Sequence, residues 1–473
     1  MNGRTAAIAA VLAVVVCAAG CGVAQSDVDA PGTIAWTGCG EVQCATLTVP
    51  LDHRAPDGKK IEIALVRRPA DDPDRRIGSL VTNPGGPGGS GVEFVREGGD
   101  TYFDAETRAR FDVIGFDPRG VGGSAPLGCL PDDEEHEHVD EVAEAQRWAA
   151  TCREKAGDVL PHLTTAATAR DMDLLRTALG EDKLTYLGIS YGTVLGATYA
   201  DLFPDRVRAM VLDGPVDPAA WFGDRTIMNR QDATGFQGAL EAFFAGCIRN
   251  ARACTFGDGD PAAGLDRLLT AIDTTPIPVS EGVELDRETA VAGISSALYD
   301  EEHWFGLGEA LELAEDGDGS GLVELAEHSG MDADAHIAVA CADNNVRFTP
   351  AVLDEREPEL TRLSPVFGAQ HNGYDVCSFW PEAAAPYRPG PVVAAGAPPI
   401  LVIGTTGDPA TPLPAAVDAS ESLGSGVLLT LDGWRHGAYG GGSTCVDKAV
   451  ERYLAEGVPP ADGTECPRES SRR

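Results

Sequence analysis

The chain has 473 residues, with 36 Lys and Arg against 74 Asp and Glu, a formal net charge of −38 and 43% hydrophobic residues. Such acidity excludes nucleic acid and anionic membrane surfaces as electrostatic partners. The length and apolar content suit a large core divided into a main domain and a substantial insertion, and the lack of any fixed-period repeat removes solenoids and propellers.

The N-terminus carries one cation, Arg4, and then an apolar run from Ala6 to Ala19. That run is too short to span a bilayer and has the character of a signal-peptide core. The sequence Ala18, Ala19, Gly20, Cys21 is similar to a lipobox, whose cysteine receives a diacylglyceryl group, although Ala18 stands where leucine is usual. A plain signal peptide cut at a nearby small residue is the alternative. Residues 1–20 are therefore expected to be a leader of lipoprotein type, with Cys21 as lipid anchor and the protein exported, either held on the outer face of the cell membrane or secreted. Setting Cys17 and Cys21 aside leaves ten of the 12 cysteines, an even number for an oxidising compartment. Their spacing suggests the local pairs Cys39–Cys44, Cys129–Cys152, Cys247–Cys254, Cys341–Cys377 and Cys445–Cys466. No CxxC pair or paired His cluster supports a zinc site instead.

From Ala45 the pattern alternates strands and helices. ATLTVPLD and IEIALVRR read as a strand pair joined through a Pro-Asp-Gly turn. SLVTN, a short buried strand, runs into PGGPGGSG at 84–91. A loop so rich in glycine lets backbone amides approach a ligand, and Gly86 is the candidate second donor of an oxyanion hole. The strand in DVIGFDPRGVGGS ends in a turn where Asp117 and Arg119 are expected to pair. The acidic run Asp132–His138 reads as a solvated loop. ATARDMDLLRTALG, 167–180, is an amphipathic helix leading into LTYLGISYGTVLGATYA, 184–200.

That last stretch holds a GxSxG elbow, with Ser190 on a sharp turn between strand and helix and the Tyr191 N–H as the first oxyanion donor. RAMVLDGPVDP supplies another strand, and the next comparable one is ILVIG at 400–404. The long segment between is mostly helical in pattern and reads as a lid over the strand ends. Within it Asp316, Asp318, Ser320, Gly321, Val323 and Glu327 have the spacing of an EF-hand loop, or of a helix connection with solvent-facing acids. After ILVIG come Asp408 and then His436, so Ser190, Asp408 and His436 fall in the chain order of a hydrolase triad. In that chemistry His436 takes the serine proton and Asp408 holds the imidazole tautomer.

PGGPGG at 84–89, FDPRGVGGS at 116–124, GISYGT at 188–193, CADN at 341–344, GDPATP at 407–412 and GWRHG at 433–437 together resemble the secreted tripeptidyl aminopeptidases of actinobacteria. The resemblance covers nearly all of the mature chain. It implies an α/β-hydrolase fold with a mostly parallel sheet of about eight strands and a large helical cap inserted after the sixth. The expected divisions are 21–218 and 393–473 for the core, the latter TAP-like, and 219–392 for the cap. It also implies a serine peptidase related to prolyl aminopeptidase, acting from a free N-terminus through Ser190, Asp408 and His436. Gly86 and Tyr191 would be the oxyanion donors, and Thr411 would support the acid loop. No cofactor or metal is implied, and a monomer is expected.

Recognition of an α-ammonium group needs a carboxylate in the cavity. Asp343 is the first candidate, with Glu301 and Glu302 behind it; Asp343 could equally stabilise the local disulfide loop. Two other function classes share these residues: an esterase or lipase on the same triad, and a non-catalytic lipid-anchored binding protein, which would have no use for that trio.

Overall fold

Five strands at the centre of the molecule are buried along nearly every residue, because helices cover both faces and leave no solvent side to alternate with. The computed structural model describes residues 34–99, 101–129, 141–252, 254–280, 282–327, 332–344, 346–372, 376–381, 387 and 391–469. The expected leader, Cys21 and the acidic run 132–138 lie outside them. In chain order the strands are β1 (Thr37–Cys39), β2 (Val42–Pro50), β3 (Lys60–Arg68), β4 (Gly78–Asn83), β5 (Phe111–Phe116), β6 (Leu184–Ile189), β7 (Val207–Asp213), β8 (Ile277–Ser280), β9 (Val283–Leu285), β10 (Ile400–Thr405), β11 (Gly426–Leu431) and β12 (Thr464–Cys466). Ten of them form one sheet in the order β1-β2-β3-β5-β4-β6-β7-β10-β11-β12. The edge strands β1 to β3 pair antiparallel, and every pairing from β5 to β12 is parallel.

Neighbouring residues on each strand enter different cores, as the period of two requires. Val81, Met210, Leu212 and Val402 meet helices carrying Met172, Val194 and Leu195. Leu80, Val211, Leu401 and Ile403 meet Val92, Val446 and Tyr453 on the opposite face. The sheet has more strands than the sequence pattern counted, because β1 and β12 are only three residues long and show no periodicity. Disulfides tether both, Cys39–Cys44 and Cys445–Cys466. The extra β1 also makes the insertion follow the seventh strand rather than the sixth. The other disulfides are Cys129–Cys152, Cys247–Cys254 and Cys341–Cys377, so all five pairs match the local pairing read from spacing.

Between β7 and β10 the chain is mainly helical, with the small β8–β9 hairpin. It builds a core of its own from Phe236, Leu240, Phe243, Leu269, Ile294 and Leu311, among others. The EF-hand-like spacing falls on a tight helix connection. Helix Trp304–Glu315 is followed by helix Ser320–Glu327, and Asp318 accepts the Ser320 N–H at 3.0 Å. Helix therefore begins at what would be the fifth position of a twelve-residue loop.

The expected Asp117–Arg119 pair is replaced by two separate arrangements. Asp117 accepts from Ser90 Oγ (2.6 Å), Val92 N–H (3.1 Å) and Gly123 N–H (2.9 Å), which ties the glycine loop to the turn after β5. Arg119 is 0% exposed and forks onto Asp171 at 2.8 and 2.7 Å. It also donates to the carbonyls of Leu51, His162 and Pro50. A fully buried guanidinium is tolerated only with its donors used, and five-donor geometry suits this corner of carbonyls. Arg119→Met should lower stability by about 3–5 kcal/mol in urea unfolding, since it leaves the buried Asp171 carboxylate with His53 Nε2, 2.8 Å from its Oδ1, in place of the two-pronged guanidinium. The double variant Arg119→Met, Asp171→Leu should recover much of that loss, whereas equal losses would assign the effect to packing alone.

Candidate active site

β6 ends at Ile189, and Ser190 sits at φ 55°, ψ −125°, a conformation that non-glycine residues rarely adopt. Two contacts hold the turn: Ser190 N–H donates to the Asp213 carbonyl at 2.9 Å, and Thr193 N–H donates back to the Ser190 carbonyl at 2.8 Å. A Cβ at Gly188 would lie 2.3 Å from the Gly192 carbonyl oxygen, so the elbow needs glycine there. The glycine loop after β4 lies directly against the elbow: a Cβ on Gly85 would come within 2.9 Å of Ser190 Cβ and 3.2 Å of Tyr191 N. Gly86, with φ 107°, follows in that same loop.

Asp408 follows β10 and is 2% exposed. Its carboxylate meets His436 Nδ1 at 2.9 and 3.0 Å. The remaining acceptor capacity is filled by Ala410 N–H (3.0 Å), Thr411 N–H (2.8 Å) and Thr411 Oγ1 (2.9 Å). With Nδ1 taken, the neutral imidazole carries its accepting lone pair on Nε2. Burial alone pushes His436 down, but the charge and hydrogen bond of Asp408, then Asp213 and Asp232, outweigh it and leave the imidazole above its ordinary value.

Asp213, the last residue of β7, joins these two loops and drew no notice in the sequence. Its carbonyl takes the Ser190 N–H, while its carboxylate takes Ala438 N–H (2.9 and 3.0 Å) and Tyr439 N–H (2.9 Å) just beyond His436. Burial lifts its pKa to about 6 against the opposing backbone hydrogen bonds. The next residue, Gly214, touches the imidazole, since a Cβ there would be 3.3 Å from His436 Cε1.

The residues expected to meet an ammonium group are placed otherwise. Asp343 is 1% exposed and its oxygens accept from Thr165 N–H (3.0 Å), Thr165 Oγ1 (2.5 Å) and Trp221 Nε1 (2.9 Å). Thr165 Oγ1 in turn meets Tyr191 Oη at 2.5 Å, so Asp343 braces the residue after Ser190 from below. This corrects the reading of Asp343 as a cavity carboxylate: too few lone pairs remain, and the group is sealed from solvent. Glu301 pairs with Arg468, and Glu302 is exposed. Their neighbour Tyr299 is the one that reaches the site. Its carbonyl accepts His436 N–H at 2.7 Å, and its ring stands edge-on to the imidazole at 5.3 Å.

Asp232 is the carboxylate that the fold brings over the pair. It lies on helix Arg225–Arg249, three residues before Gly235 and four before Phe236, hence on their face. Gly235 presses on the Pro409 carbonyl, where a Cβ would come to 2.2 Å, and Phe236 meets Tyr299 at 5.5 Å. Asp232 accepts no hydrogen bond from a described residue. Burial raises its pKa to about 7, with Arg225 and His436 pulling down and Asp408 pushing up. A lone acid on a long helix carries no local signal, which is why sequence reasoning passed over it.

Two family models match the chain, one described as the alpha/beta hydrolase fold over residues 78–258 and one as TAP-like protein over residues 364–466. The fold and site thus define an α/β hydrolase. Serine protease Hip1 of Mycobacterium tuberculosis is 36% identical, with 92% of this chain and 91% of that protein covered. Carboxylesterase B of the same organism is 35% identical, covering 90% and 86%. Tripeptidyl aminopeptidase of Streptomyces lividans is 32% identical, covering 90% and 83%. The chain belongs to the tripeptidyl aminopeptidase family of α/β-hydrolase serine peptidases, whose C-terminal part is TAP-like, and it is a hydrolase.

Asp213→Asn removes the acceptor's charge and, with its amide oxygen in the place that takes both N–H groups, turns its NH2 against the Ala438 donor, each hydrogen bond to a charged acceptor being worth about 1.5–3 kcal/mol. It should lower both the urea midpoint and kcat, the latter by about tenfold or more. An unchanged kcat would mean that the histidine loop is held by other contacts.

Proposed function

We propose that this protein is an exported serine exopeptidase that hydrolyses peptides from a free N-terminus, as a tripeptidyl or related aminopeptidase. Ser190 attacks the scissile carbonyl while His436 accepts its proton through Nε2, forming a tetrahedral intermediate. His436 then returns the proton to the leaving amine, and a water repeats the cycle to free the acyl group from Ser190. Asp408 fixes the imidazole tautomer and stabilises its charged form. The N–H groups of Gly86 and Tyr191 take the charge that develops on the carbonyl oxygen. Thr411 braces the Asp408 carboxylate through its own N–H and hydroxyl.

The observation that carries the exopeptidase reading is Asp232, a carboxylate above the Asp408–His436 pair with no hydrogen-bond donor of its own. A substrate ammonium supplies a partner, because a half-buried carboxylate that accepts no hydrogen bond is open to a charge-assisted one. Export is supported by the leader pattern and by five disulfides, which persist in oxidising compartments. Lipidation of Cys21 is the proposed means of membrane attachment. The similarity to a carboxylesterase keeps a second reading in view, an esterase on the same triad.

A matched series of peptide amides with one, two or three residues, each with free and acetylated N-termini, separates these readings. Free-amine substrates should be cleaved much faster; equal rates with acetylated ones would favour the esterase. Ser190→Ala should cut turnover by several orders of magnitude, leaving a residual acceleration of about 10³-fold over water.

Asp232→Asn should raise KM for free-amine peptides by about tenfold, one lost charge pair at a half-buried carboxylate, while leaving hydrolysis of a small acyl ester nearly untouched. The pH dependence has a definite sign. Asp232 is protonated below about 7 and ionises above it, so affinity for a free-amine peptide should rise through that pH. It should fade again as the peptide's own ammonium deprotonates near pH ~8. The ester should lack this dependence in KM, and so should Asp232→Asn.

A further inference from the structure

The loop that carries Gly86 is held from two sides. From below, Gly85 N–H donates to Asn83 Oδ1 (3.1 Å), Gly89 N–H donates to the Gly85 carbonyl (3.1 Å), and Ser90 is tied to Asp117. These contacts fix the two ends. Among the described residues, the hydrogen bonds to the middle of the loop, 86–88, come from the insertion. His336 Nδ1 lies 3.2 Å from the Pro87 carbonyl oxygen, and Asp332 N–H donates to the Gly88 carbonyl at 3.3 Å. Asp332 and His336 stand at the start of helix Ala333–Asp343, where the Asp332 side chain caps the helix by accepting from Ala335 N–H at 2.9 Å. The fit leaves no slack, since a Cβ on Gly88 would come 2.4 Å from the Asp332 carbonyl oxygen.

We propose that His336 is a positioning residue for the reaction: through the Pro87 carbonyl it holds the Gly86 N–H at the place where the oxyanion forms beside Ser190. This rests on the assignment of Ser190 and Gly86 made above. A carbonyl only accepts, so His336 Nδ1 must carry the hydrogen. Burial pushes the imidazole below its ordinary pKa, consistent with a neutral ring donating from Nδ1. The loop already touches the serine through Gly85. A shift of about 1 Å in such a donor costs about a hundredfold in rate. The insertion thus completes the site that it also covers.

The test compares His336→Ala with His336→Asn, whose amide nitrogen occupies the place of Nδ1. Three readouts are needed on each: kcat and KM for a free-amine tripeptide amide, the rate of covalent capture by a fluorophosphonate, and the melting temperature. Capture forms a bond from Ser190 Oγ to phosphorus and expels fluoride, and it uses the oxyanion donors without any ammonium contact. His336→Ala should reduce kcat and the capture rate by a similar factor, about 10- to 100-fold, with KM changed less than threefold. His336→Asn should recover most of both. A rise in KM with kcat intact overturns the proposal, as does a fall in kcat without slower capture, or an Asn variant no better than Ala. Should His336→Ala fail to fold, His336→Gln replaces it, because the longer amide places its nitrogen nearer to Nε2. Asn must then exceed Gln in kcat, and equal values overturn the proposal. Retained turnover in Ser190→Ala overturns the underlying assignment as well. Equal cleavage of acetylated peptides overturns only the exopeptidase reading, since capture depends on neither terminus.

Discussion

Asp213 is the residue on which the arrangement of the site depends, because it bonds to two loops that are more than two hundred positions apart in the chain. Its main-chain carbonyl receives the Ser190 N–H, and its carboxylate receives the N–H groups of Ala438 and Tyr439. The elbow and the histidine loop are therefore referred to one rigid strand end rather than to each other. A buried carboxylate is costly unless its lone pairs are filled, and here they are filled by backbone groups that cannot move without moving His436. The cost of burial, visible in a pKa of about 6, is offset by those contacts.

The insertion is as much a part of the site as the sheet. It reaches each loop by a different contact: Gly235 on Pro409 beside Asp408, Tyr299 on His436, and Asp332 with His336 on the glycine loop. Below the elbow, Asp343 and Trp221 brace Tyr191 through Thr165. The helix that carries Gly235 and Phe236 shares the separate apolar core with Ile294 and Leu311, whereas helix Ala333–Asp343 packs into the main core through Ala338, Val339 and Cys341. The separate core thus sets the position of the proposed ammonium site at Asp232, while the proposed oxyanion loop is held by a helix anchored in the main core. A lid that merely covered the cavity would not need hydrogen bonds to two loops and close packing on a third.

Much of this was legible in the chain. The strands around Leu80, Val113, Leu187, Val211 and Ile403 announce themselves as apolar runs, and the Gly188–Gly192 string, Asp408 and His436 each follow such a run. The disulfides were readable because short loops favour local closure. Other expectations failed for identifiable reasons. Arg119 chose Asp171 over Asp117, since a fully buried guanidinium goes where carbonyls surround it, and that pocket is assembled from residues 50, 51 and 162. Asp343 looked like a cavity carboxylate because its neighbours in CADN gave no sign of Thr165 or Trp221. The two shortest strands escaped because three residues cannot display a period.

The sequence by itself determined the order of the elements, the turn that exposes Ser190, and which residue types stand at the ends of the strands. These follow from local rules: hydrophobic period, the steric needs of a sharp turn, and the chemistry of each side chain. Only the tertiary structure decided which acids are consumed and which remain open. Asp213, Asp343 and Asp232 are alike in composition and all buried or partly buried. The first two are filled with donors from distant segments, and the third is left without one. A carboxylate's role is set by the donors around it, and those donors come from parts of the chain that sequence proximity does not connect.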